Sequence, residues 1–101
     1  MKGKERAELR AEAHHLNPMI HIGHLGLSDT ALGALDDALR THELVKVALA
    51  RTLEESPKAL ANQMAEALGA DVIQVIGRKA TLYRHNPDLW KEPRKLPPWK
   101  G

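Results

Sequence analysis

The stretch Met19-Ile20-His21-Ile22-Gly23-His24-Leu25-Gly26-Leu27-Ser28-Asp29 decides how the chain folds. Met19 to Ile22 alternates, with Ile20 and Ile22 on one face and His21 on the other, the pattern of a short half-buried strand. Ser28 or Asp29 can cap a following helix by accepting from its first-turn N–H groups. Between strand and helix stands a loop bounded by Gly23 and Gly26. Glycine allows a ligand to approach the backbone closely, and the next helix points its positive dipole end the same way. The unit is therefore a candidate clamp for a phosphate-bearing backbone. Glycine pairs at this spacing are common and usually only make a turn, so the weight of the signal depends on its surroundings.

Working outward, Lys4 to Leu16 are strong helix formers with Leu9, Ala13 and Leu16 on one face, and Asn17-Pro18 stops this first helix. Beyond the loop, Leu32, Leu35 and Leu39 recur at helical spacing and predict a second helix from about Asp29 to Thr41. Leu44 to Leu49 reads as a strand, with Val45, Val47 and Leu49 opposite Lys46. Ser56 as cap, Pro57 at the first helical position and Gly69 after Leu68 punctuate a third helix, buried through Leu60, Met64, Ala67 and Leu68. Val72, Ile73, Val75 and Ile76 are apolar on both faces and predict an interior strand. Gly77-Arg78 connects it tightly to an alternating strand, Lys79 to Arg84, as an antiparallel hairpin. The order is αβαβαββ, an α/β (α+β) domain over residues 1–84. Residues 85–101, rich in proline and lysine, read as a loosely attached basic extension with a helical turn near Asp88 to Lys91. Trp90 is expected to fold back onto the sheet and Trp99 to be exposed. There is no internal repeat.

A chain of 101 residues, 43% hydrophobic and 28% charged, can build one modest core. It lacks cysteine, which excludes disulfides and thiolate metal sites, and it has no apolar run near the roughly 20 residues of a membrane span. A cytoplasmic monomer without a cofactor or membrane partner is expected. The net charge of +2 conceals a polarity: residues 1–26 carry +1, residues 27–76 carry −4 and residues 77–101 carry +5. Lys2, Arg6 and Arg10 add a basic stripe at four-residue spacing on the first helix. This distribution suits a polyanion. Only Tyr83, Trp90 and Trp99 are aromatic, too few on strands for base stacking across a sheet, so recognition through backbone and shape is expected.

Three segments in order now gain meaning. Leu9-Arg10, Ala13-His14-His15-Leu16-Asn17-Pro18 and Ile22-Gly23-His24-Leu25-Gly26-Leu27 form the first. His42-Glu43-Leu44-Val45-Lys46-Val47 is the second, and Gln74 through Arg84 the third. Together they resemble the CRM domain, the chloroplast RNA splicing and ribosome maturation module, in its stand-alone bacterial YhbY-like form. The resemblance implies three helices on a four-stranded mixed sheet, similar to the C-terminal domain of translation initiation factor three. It also implies a non-enzymatic RNA-binding protein acting on precursors of the large ribosomal subunit, with a glycine loop comparable to that of KH domains. Departures from the pattern are His24 and Leu25 between the glycines, Asn17 before the proline and Ala48 after Lys46. Each removes a potential phosphate contact.

The candidate RNA-binding residues are Gly23, His24, Leu25 and Gly26, with Lys2, Arg6, Arg10, Lys46, Arg78, Lys79 and Arg84 supplying charge. Any one arginine among them could equally be a solvated surface charge. Two other classes of function compete. His14, His15, His21 and His24 could offer imidazoles to a metal, although no carboxylate lies between Asn17 and Leu27 to complete a shell. Trp90 and Trp99 could anchor a partner groove in a protein-interaction adaptor.

Overall fold

The computed structural model describes residues 3–90 and 97–100. Helix α1 spans Gly3–Ala13, strand β1 Ile20–Ile22, α2 Asp29–His42, β2 Leu44–Leu49, α3 Pro57–Leu68, β3 Asp71–Ile76 and β4 Lys79–Tyr83. The strands form one mixed sheet in the order β1-β2-β4-β3, with β1 parallel to β2 and the other pairs antiparallel. The three helices, the four-stranded mixed sheet and the β3-β4 hairpin agree with the sequence reading.

Local chemistry explains the element boundaries. Ser28 Oγ accepts from Ala31 N–H at 3.1 Å and Ser56 Oγ from Ala59 N–H at 3.1 Å, which satisfies N–H groups that the first helical turns cannot pair internally. Gly69 closes α3 in the left-handed region at φ 63°, its N–H donating to Ala65. Helix α1 ends at Ala13, three residues before the expected Leu16. There His15 N–H bonds Glu12 C=O and Leu16 N–H bonds Ala13 C=O, tighter i to i+3 turns that wind the helix down before Pro18.

One face of the sheet carries Ile22, Val45, Val47, Leu49, Ala80 and Leu82 into the main core, closed by Leu35 and Leu39 of α2 and Leu60 and Met64 of α3. Helix α1 packs on the opposite face, where Leu9 meets Leu44 and Ile73, with Leu16, Tyr83 and Trp99 around them. That smaller cluster covers one end of the face and leaves the other end open.

Two expectations are corrected. Strand β3 is an edge strand: Val72 and Val75 pack under the main core while Ile73 packs beneath α1, so helices on both sides of the sheet produce the two-faced apolar pattern. Its last residue, Ile76, is 55% exposed. A register shift between Val72 and Gln74 marks a bulge in the same strand. Secondly, Trp99 is packed rather than exposed, its ring edge-on to Tyr83 at 6.1 Å and 80°. The described part of the C-terminal extension is held to the domain. Buried Glu43, the residue that closes α2, accepts from Asn86 N–H at 2.7 Å and Trp90 Nε1 at 2.8 Å through Oε2, and Asn86 Nδ2 donates to Arg40 C=O. The expected turn near Asp88 is a 3₁₀ turn over Pro87–Trp90.

Candidate nucleic-acid interface

Parallel β1 brings the glycine loop to the end of the sheet where β2 finishes and where the β3-β4 hairpin turns. Ile22 pairs with Leu49, and Ala48 pairs with Lys79. The loop is a tight turn: Gly26 N–H donates to Gly23 C=O at 2.9 Å, and Ser28 N–H donates to Gly26 C=O at 3.0 Å. Gly26 has φ +69°, a conformation that favours glycine, and a side chain built there would meet only Leu53 at 3.8 Å. A side chain at Gly23 would meet nothing within 4 Å. Two of the loop's N–H groups are thus committed to the turn, and the N–H groups of His24 and Leu25 have no acceptor among the described residues. Leu25 stands out at 80% exposure.

The open half of the sheet lies beside this loop. Partners across strands share a face, so His21, Ala48, Lys79 and Ile76 form one transverse row, mostly exposed, while in the next row half-buried Lys46 and Gln74 flank buried Thr81. Desolvation, and then the like charge of Lys79, lower the pKa of the Lys46 ammonium below its ordinary value. Arg78, at the hairpin turn, donates to Ala50 C=O at 3.3 Å, and with Arg51 and Lys79 it lines an open groove at the strand ends. On the other flank of the loop the groove is acidic, with Glu54 and Glu55, and Glu55 accepts from Gln63. A polyanion meeting the loop is therefore directed toward the open sheet.

The structure brings Gly23, His24, Leu25, Gly26, Lys46, Arg78 and Lys79 to this one end of the sheet. Arg84 is elsewhere and turned inward. Its guanidinium donates to Asp36 Oδ1 at 2.7 Å, Leu68 C=O at 2.9 Å and Asp36 C=O at 3.1 Å, which joins the C-terminal half of α2 to the end of α3. Arg6 donates to Val72 C=O and clips α1 to β3, while Arg10 remains exposed. Lys2 lies outside the described residues. His21 and Arg51 were not among the predicted contacts. The signal for both was strand alternation, which puts His21 on the open face, and the position of Arg51 just after β2, beside the loop.

The model of the CRS1 / YhbY (CRM) domain matches residues 1–84. The chain belongs to the CRM domain family. A Pseudomonas aeruginosa protein named "Probable RNA-binding protein" is 33% identical over 84 residues, covering 83% of this chain and 81% of its own. A Haemophilus influenzae protein named "RNA-binding protein" is 36% identical over 81 residues, covering 80% and 82%. The solution structure of a Staphylococcus aureus protein titled as a candidate RNA binder superposes with a TM-score of 0.76 at 31% identity, covering 95% of this CRM chain and 96% of that one. Among the described residues of this CRM domain, no group of three or more His, Asp or Glu side chains could hold a metal ion, and no helix is long and apolar enough to cross a membrane.

Proposed function

We propose that this protein binds structured RNA as a monomer, with large-subunit ribosomal RNA in a precursor particle as its target, and that it acts by docking rather than by catalysis. The observation that carries this reading is the placement of Lys46, Arg78 and Lys79 beside the glycine loop at one end of the sheet. The cations neutralise phosphates, while the free N–H groups of His24 and Leu25 and the start of α2 fix one stretch of backbone. Lys46 and Lys79 repel each other in the free protein, and a phosphate seated between them removes that cost. Exposed Leu25 gives the loop tip an apolar surface to lay against a sugar or base. The relatives named as RNA-binding proteins support the class of ligand.

Titrating the protein with a structured ribosomal RNA fragment at several salt concentrations tests the proposal. Affinity is expected to fall steeply as salt rises, with a log-log slope reduced by about one for each of Lys46→Ala and Lys79→Ala. No binding at low salt would reject it. Cosedimentation with precursor large subunits rather than with mature ones tests the choice of target.

A further inference from the structure

All three aromatic side chains of the protein meet in one place. Tyr83 at the end of β4, Trp90 at the end of the 3₁₀ turn and Trp99 line a concavity of about 350 Å³ together with His85, and Glu5 and Glu8 of α1 stand in the same wall. That volume is at the lower end of the roughly 300–1,000 Å³ that ligand pockets occupy, a size for one side chain rather than for a helix. Leu9 contributes apolar surface to it. The local field is negative: burial, and then the carboxylates of Glu43, Glu5 and Asp71, push the Tyr83 phenol up to about 12. Among the described residues, buried Glu43 has one oxygen, Oε1, without a hydrogen-bond partner.

We propose that this aromatic pocket receives a cationic side chain, an arginine or lysine, from a basic segment of a partner polypeptide. Aromatic faces attract cations through the ring quadrupole, most strongly where water is excluded, and carboxylates in the same wall supply the complementary charge. The same carboxylates disfavour RNA, whose phosphates would approach Glu5 and Glu8. The pocket is also distant from the glycine loop. Tyr83 lies four residues along β4 from Lys79, a separation of roughly 14 Å, so one molecule can hold RNA at one end of the sheet and a basic polypeptide at the other. This site does not depend on the RNA reading, because none of its residues belongs to the cation cluster.

The test uses the full chain, a short arginine- and lysine-rich peptide, and the indole N–H resonances of Trp90 and Trp99. Both resonances are expected to shift saturably with the peptide, and not with a control carrying glutamine at every cationic position. Glu5→Gln with Glu8→Gln, on the exposed surface of α1, should weaken binding about tenfold without lowering thermal stability. Trp90→Ala should abolish saturation. Equal binding of the glutamine control, unchanged affinity in the Glu5/Glu8 variant, or displacement of the indole shifts by a single-stranded oligonucleotide would each overturn the proposal. So would peptide binding that requires prior replacement of Lys91, Arg94 and Lys95 by glutamine, which would assign the pocket to the chain's own basic segment.

Discussion

Gly23 and Gly26 look equivalent in the sequence, yet they make different demands on the backbone. Gly26 sits at φ +69°, so Gly26→Ala should cost about 1 kcal/mol in urea unfolding even though its Cβ has room. Gly23→Ala meets open space and should change stability by less than about 0.5 kcal/mol. A severalfold loss of RNA affinity in Gly23→Ala would then report on close approach to the loop, free of any folding defect. Tyr83 makes a second residue-scale prediction. Its folded pKa is raised to about 12 from an ordinary value of 10.0, so its contribution to stability is complete below pH 10 and is lost as pH rises toward 12. As the protein's one tyrosine, its phenolate absorbance can be followed directly, and Tyr83→Phe should remove that alkaline loss.

At the scale of elements, what can be read locally is what local chemistry controls. Ser28, Ser56, Pro57 and Gly69 announce helix ends because their side chains or backbone freedom act within one turn. Alternation in Leu44 to Leu49 places Lys46 on the face opposite the main core for the same reason. The position of β3 at the sheet edge was illegible, since its apolar residues record helices above and below rather than strands on either side. Arg84 shows a similar gap: its charge is visible in the chain, but its partners Asp36 and Leu68 are 48 and 16 residues away. Arg84→Ala should therefore destabilise the fold by about 2 kcal/mol, measured by denaturation, while the salt dependence of RNA binding stays unchanged. Trp99 reads as exposed from the sequence because its neighbours Leu9, Leu44 and Tyr83 come from three separate elements.

For the whole molecule, charge is divided between the two ends of the sheet without following the sequence segments: Arg78 and Lys79 stand at the loop end, while Arg84 of the same basic segment bonds Asp36 at the other. Cations beside the glycine loop face outward from one end of the sheet, and the carboxylates of α1 and Glu43 gather near the other. Association with RNA should consequently be steered, and its rate should drop as ionic strength shortens the screening length below about 10 Å. Within the C-terminal extension, the described residues Asn86, Trp90 and Trp99 are tied to the domain. Truncation after Arg84 removes the partners of Glu43 and the cover over Leu9, Leu44 and Ile73, and should cost about 2–4 kcal/mol of stability in chemical denaturation.

A sheet with one face half open must also avoid recruiting foreign strands along its borders. Here β1 is three residues long, and β3 is interrupted by its bulge and has the carbonyl of Val72 capped by Arg6. Both borders are poor templates for further pairing. On the proposed docking, the open face can meet nucleic acid without its borders recruiting another strand, and Arg6→Ala should reveal the device as faster aggregation on mild heating, followed by light scattering.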